Sequence, residues 1–468
     1  MIGRASIDRP ETDHKRAKDE KAIMTTLLNA YIAANRFGFG PRPRELARIG
    51  DDARGWLKAQ IQPENSPPAA FSALPETADS VLEMANTRRT GTKAYQATVE
   101  RLSKAHAPAE LKARIEVMTT SESPFRERLV QFWSNHFTVS GQEPKVLPLA
   151  GAYEREVIRP HVFGRFEKLL LAAIRHPAML MYLDNQYSFG PNSPLGQVVP
   201  GFSERLAQEI LMHHTLSPDG SYGQDDVHAL AKMLTGWSHG GIGGRGPHDG
   251  HFRFRPTGHE PGAKSFLGKH YPESGVEEAE RALAFLAGHH ATARFISTKL
   301  VRHFVADDPP PAAVRAITRV FSDSGGDLAQ VAAALVDLDI AWAVPLTKVK
   351  TPYELVVSTL RTMGHQGIEP HGLMRSLREL GQQAYRARTP AGWSDQAKDW
   401  MVPDALIRRI DWAREIASRA PRTLDPLALA DIAIGPVASR ATLDTVKQAP
   451  SVEVGIALVL ASAEFQQR

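Results

Sequence analysis

The sequence predicts an all-α fold, mainly a helical orthogonal bundle, with at most a small β-hairpin near residues 251–256. Three observations carry this. Apolar residues recur at three- and four-residue spacing along most of the chain. Strand-like alternation is confined to "HFRFRP" (251–256). Pro and Gly punctuate the periodic runs.

The runs follow one another in order. "RERLVQFWSNHFTV" (126–139) places Phe132, Trp133, His136 and Phe137 on overlapping helical faces. "FEKLLLAAIRHPAMLMYLD" (166–184) is broken by His176-Pro177, and "SERLAQEILMHHTL" (203–216) ends at Pro218-Asp219-Gly220. "DDVHALAKMLTGW" (225–237), "ATARFISTKLVRHFV" (291–305), "LAQVAAALVDL" (328–338) and "PYELVVSTLRTMG" (352–364) complete the series. Three segments lack helical character: 63–80, 185–201, and the Gly- and His-rich loop 236–271, which holds His239, His248, His251, His259 and His270. The expected organisation is a flexible N-terminal arm, 1–23, followed by a single large helical domain, 24–468. The arm is polar and charged, without an apolar core of its own.

Composition narrows the function classes. Of 468 residues, 42% are hydrophobic and 23% charged, the balance of a soluble globular protein. A formal charge of +4, with no face or tail that concentrates Lys and Arg, argues against nucleic acid. The absence of cysteine excludes disulfides, thiolate metal ligands, iron–sulfur clusters and a Cys nucleophile. No apolar run is long enough to span a bilayer. No signal-peptide pattern opens the chain, so a cytoplasmic location is expected for the sequence as given. There is no nucleotide or flavin motif: "GGIGGRG" (240–246) lacks the ending of a phosphate loop.

Glu209 and His213 are the first candidates for chemistry. Four residues apart on a helix, their side chains reach one point. Carboxylate plus imidazole suits one divalent metal such as Zn, Mn or Fe, with His136 and Asp184 as further ligands. Asp226 would orient a metal-activated water, and Arg205, one turn before Glu209, would act on that carboxylate. The competing reading is an Arg205–Glu209–His213 ladder that locks helices together. His213 near a helix C-terminus favours that reading, because the helix dipole stabilises imidazolium and a metal needs neutral imidazole. In "GHEPGAK", His259, Glu260 and Lys264 put three ionisable groups on a loop, which reads as a lid or as a solvated turn. His259, Lys264, Trp237 and Asn135 are the expected substrate contacts, and His136 is a candidate catalytic group or a hydrogen-bonded core residue.

Several stretches occur together in one order: "ANRFGFGPRPREL", "QFWSNHFTVS", "HPAMLMYLDN", "ERLAQEILMHHTLSPDGSYGQDDVHALAKMLTGW", "GHEPGAKSFLG", "HATARFISTKLVRHFV", "KVKTPYELVVSTLRTMG", "LGQQAYRARTPAGW" and "ASAEFQQR". From about residue 24 to the end, the chain resembles the bacterial domain-of-unknown-function 1800 family. That resemblance implies no settled biochemistry. It implies frequent export and a frequent sulfatase-like neighbour, hence a possible sulfatase-like partner and polysaccharide business. Two departures stand out. The family commonly reads His-Asn-His where this chain has Ser134-Asn135-His136, so a ligand at the first position would be lost. Where the family offers a Thr helix cap, this chain has Gly223, three before Asp226.

The reading that follows is a metal-assisted hydrolase with a Glu/His-lined cleft, acting on a small molecule or glycan. One rival is a metal-free glycan-acting enzyme using two carboxylates, from Asp184, Glu209 and Asp226, with Trp237 or Trp393 as a sugar platform. The other is a non-catalytic partner of an envelope or sulfatase-like enzyme.

Overall fold

Pro124 occupies the first turn of the helix Pro124–His136, where its missing N–H would have no intrahelical partner in any residue. The helix Pro352–Thr362 starts the same way and adds a capping box. The Thr351 side chain accepts from the Glu354 N–H, and the Glu354 carboxylate accepts from the Thr351 N–H at 2.8 Å. His289 caps His290–Phe304 through its ring, which accepts from the Ala291 N–H at 3.2 Å. Local chemistry of this kind starts the helices that carry the site.

The computed structural model describes residues 22–63, 66–241, 249–364 and 369–468. It is mainly helical, as the periodicity predicts. The longest described helix, Thr92–Thr120, contains Pro108 and lies against Thr77–Thr90. Among the described residues, two large clusters make up most of the apolar interior, beside two small ones around Tyr31 and Phe71. The larger gathers Phe37, Phe125, Trp133, Phe166 and Phe304. The second joins Leu111 and Met118 of the long helix to the C-terminal helices through Leu355, Trp412, Ile456 and Phe465. Among the described residues, no helix is long and apolar enough to cross a membrane.

The expected hairpin is present: Phe252–Phe254 pairs antiparallel with Trp237–His239. A second hairpin, not anticipated, joins Lys264–Phe266 to Lys269–Tyr271. Three-residue strands are too short for alternation to register in the sequence. Most of the expected N-terminal arm, and residues 242–248 of the Gly/His-rich loop with His248 among them, lie outside the described residues.

Three α-helical runs widen by one residue into π turns, at Ala33–Phe37, Glu154–Ile158 and Ile210–His214. Such turns gather at functional sites because the widened turn re-aims side chains. Two of the three carry residues considered below.

Candidate functional site

The structure does not bring the expected metal set together. Glu209 and His213 do approach, at 3.7 Å between Oε2 and Nε2. Arg205 is not their ladder partner: it pairs with Asp184 at 2.7 Å, and Asp184 also takes Lys145. Asp184 is thus neutralised by two cations. His136 is 1% exposed, with both ring nitrogens engaged: Nε2 faces the His214 carbonyl at 3.2 Å and Nδ1 faces Lys299 Nζ at 3.0 Å. Among the described residues, no three His, Asp or Glu converge as a metal needs.

Asp226 is a folding residue. Its Oδ2 accepts from the Gly223 N–H at 2.9 Å, which makes up for the weak glycine cap. Its Oδ1 accepts from the Leu267 N–H at 2.7 Å and so pins the second hairpin's turn. The anticipated lid is also built in. Lys264 pairs with Glu278 at 2.7 Å, His259 lies 3.3 Å from the same carboxylate, and Glu260 accepts from Asn192. All four side chains are buried, because an ionisable loop that packs down must find partners. Trp237 is fully buried beneath Arg175, so no sugar can stack on it.

Glu209 does have unusual chemistry. Burial raises its carboxyl to about 7, opposed by the nearby Arg205 charge. The folded value lies above the ordinary 4.5, so the fold favours the protonated form. That contribution is complete below about pH 4.5 and is lost as pH rises through about 7. Glu209→Gln should therefore gain melting temperature relative to the wild type between about pH 5 and about pH 8. A constant difference across that range would show that the carboxyl titrates normally.

A different place in the fold collects polar groups into one cavity, with about 800 Å³ of empty space, mouth included. Its walls come from the long helix (Arg114), the helix Pro124–His136 (Ser134, Asn135), Tyr153 and Glu154 at the second π turn, His303, Tyr353, and the segment 382–395. Gly151 lets the third wall approach: a Cβ there would stand 2.4 Å from Glu110 Cγ on the long helix. That approach sets Glu154 against Arg114 at 3.0 Å, and Ser134 Oγ donates to the same carboxylate oxygen at 2.7 Å. Ser134 thus stands on the wall of this cavity, at the position where the resemblance implied a His.

The segment 382–395 has no regular structure and is held by side chains. Ser140 Oγ donates to the Ala387 carbonyl at 2.6 Å, and the Gly141 N–H to the Tyr385 carbonyl at 2.7 Å. Asn135 clamps Trp393 twice: Nδ2 donates to its carbonyl at 2.9 Å and Oδ1 accepts from its N–H at 2.7 Å. Gly392 makes the clamp possible, since its φ is +83° and a Cβ would meet the Asn135 carbonyl oxygen at 2.4 Å. Tyr385 also has positive φ, +57°, a conformation that non-glycine residues hold only where the surroundings impose it.

This segment delivers Asp395 to His303. Oδ1 lies 2.7 Å from His303 Nδ1, and His303 Nε2 lies 3.2 Å from Arg128 Nε. Arg cannot accept a hydrogen bond. Nε2 is therefore the acceptor and Nδ1 the proton-bearing donor to Asp395. A serine-type triad through His303 is excluded, because the lone pair that would take the hydroxyl proton is occupied. Behind His303, Glu354 bridges Arg128 at 2.7 Å and Arg468 at 2.9 Å.

The electrostatics assign stable charge states. Burial alone would raise the Asp395 carboxyl, but His303, Lys348 and Arg468 outweigh it and hold it far below the usual carboxylate range. Burial also lowers His303 to about 4, against the pull of Asp395. The phenols of Tyr153, Tyr353 and Tyr385 are all raised by burial, so they stay protonated. Among the described residues, the Tyr153 hydroxyl and the Gln131 amide oxygen have no hydrogen-bond partner. The cavity thus combines one fixed anion, Asp395, with neutral donors.

Of the expected substrate contacts, only Asn135 lines this cavity, together with Trp393 from the rival reading. Arg114, Glu154, Tyr385 and Asp395 were missed. The signal was present as order: "QFWSNHF", "KVKTPYE" and "LGQQAYRARTPAGW" each place residues on the cavity wall. No curated protein and no solved structure matches the chain, but the model of a protein family of unknown function, DUF1800, matches residues 32–467. With nearly its whole length matched, the chain belongs to the DUF1800 family.

Proposed function

We propose that the chain is a metal-independent, carboxylate-dependent enzyme that cleaves a neutral glycan in the Asp395 cavity. The observation that carries this is Asp395 itself. One carboxylate oxygen is held by His303, and the other has no hydrogen-bond partner among the described residues. A permanently ionised carboxylate at a cavity wall stabilises positive charge that develops on a sugar ring as the glycosidic bond lengthens. Glu154 is the second carboxylate. Through Ser134 it passes a proton to the leaving oxygen and then takes one back from the incoming water, so the proton count closes. The neutral phenols and the unpartnered Gln131 oxygen suit hydroxyl groups, which both donate and accept. Trp393, half-buried at the wall, offers a ring face to a sugar's C–H surface.

The test is saturation-transfer NMR on the full chain with a panel of neutral di- and trisaccharides. At least one should bind the wild type. Trp393→Ala should weaken that binding about tenfold or more, the loss of one stacked ring, while the melting curve stays cooperative. Absence of binding across the panel, or undiminished binding by a folded Trp393→Ala, overturns the proposal.

A further inference from the structure

Lys299 has no part in that reading. It lies on the helix His290–Phe304, one turn before His303. Lys264 is matched to Glu278 and Lys348 to Asp307, while the fully enclosed Lys350 donates to Ser358 Oγ at 2.8 Å. Lys299 has no carboxylate within ion-pair distance among the described residues. Its Nζ instead faces His136 Nδ1 at 3.0 Å. Because His136 Nε2 faces the His214 carbonyl at 3.2 Å, Nε2 carries the proton and Nδ1 is a lone-pair acceptor.

The surroundings disfavour an ammonium. Burial lowers the Lys299 amine to about 8; Asp395 raises it and Arg302, on its own helix, lowers it further. From the packed elements, the imidazoles of His136, His213 and His214 add no negative charge, which leaves Asp395, beyond ion-pair distance, as the compensating anion. The position is nevertheless not sealed. Lys299, Phe295 and His213 are all half-buried, and the Lys299 Nζ lies 5.6 Å from the Phe295 ring centre.

We propose that Lys299 is a nucleophilic amine that forms a reversible imine with a small aldehyde or ketone at the half-buried patch beside His136, Phe295 and His213. The ammonium first loses a proton to water, and the neutral amine keeps one N–H on His136 Nδ1. The Nζ lone pair then attacks the carbonyl carbon, forming C–N as the C=O π pair moves to oxygen. That oxygen takes a proton from water. A second proton, from the nitrogen, lets it leave as water and gives C=N. No electrons are gained or lost overall, so no oxidant or reductant is needed.

The experiment treats the full chain with glycolaldehyde and cyanoborohydride, which traps the imine as a stable secondary amine. Labelling is held to low conversion, and sites are mapped by mass spectrometry after digestion with an enzyme that does not cut at lysine. Lys104, whose side chain is 75% exposed, is the internal reference. At neutral pH an amine of pKa about 8 has roughly 300-fold more of the reactive neutral form than one near 10.5. Allowing for shielding, Lys299 should label at least about tenfold faster than Lys104, with a rate that levels off above about pH 8. An unlabelled Lys299, a rate no higher than that of Lys104, or a rate that climbs with pH in parallel with Lys104 overturns the proposal. The trap reads Lys299 directly, so a failure of the glycan reading leaves the result intact.

Discussion

Replacing Glu354 by Gln is expected to cost about 3–5 kcal/mol of stability, the usual consequence of removing one member of a buried ion group. Arg128 and Glu354 are each no more than 1% exposed, and Arg468 is 1% exposed. The Glu354 carboxylate faces both guanidinium groups and also caps the helix Pro352–Thr362. Gln keeps the shape but turns an amide toward one arginine, leaving charge uncompensated in a region that water cannot reach. Urea unfolding measures the loss, and a cost under about 1 kcal/mol would mean that the arginines are solvated in the native state. The pH dependence has a definite sign. Burial would raise Glu354, yet Arg128, Arg468 and His303 hold it at about 2. Its contribution is therefore complete above the ordinary carboxylate value of 4.5 and is lost as pH falls toward about 2. Glu354→Gln should lack that acid-limb dependence. The double variant Arg128→Met/Glu354→Gln should lose less than the sum of the single losses, because the two residues share one interaction.

Asp395→Asn is expected to reduce turnover of any saccharide that binds by about 100- to 1,000-fold, the scale for losing one preorganised charge at a reacting centre. Binding should change far less. Trp393, Asn135 and the phenols would remain, and the amide oxygen can still accept from His303 Nδ1. The comparison is kcat against KM, measured by release of reducing ends. A fall confined to KM would make Asp395 a binding group. Unchanged kinetics would remove it from the reaction and leave Glu154 as the carboxylate to test.

Much of the fold was legible because helices and caps are local. The 3.6-residue spacing, Pro in the first turn of Pro124–His136 and the Thr-Pro-Tyr-Glu capping box at 351–354 each act within a turn or two of chain. The site was legible only in fragments. Glu209 and His213 do share a helical face, which is the part that spacing determines. Their partners were misjudged because Arg205 had two acids within reach, and Asp184, distant in sequence, took it. The lid residues His259 and Lys264 failed as substrate contacts for the same reason. Glu278, on the next helix, buried them both.

By itself the sequence determined the helical class, the absence of thiol chemistry, the turn positions and the ordered stretches that mark the family. All of these are encoded in residue identity and short-range spacing. Tertiary structure alone decided where chemistry can occur. Arg114, Ser134, Glu154, His303 and Asp395 are spread over some 280 residues and meet only after the long helix, the second π turn and the clamped segment 382–395 have packed together. The reason is electrostatic. A charged side chain takes its function from whichever partners burial brings to it, and burial couples residues that sequence spacing cannot relate.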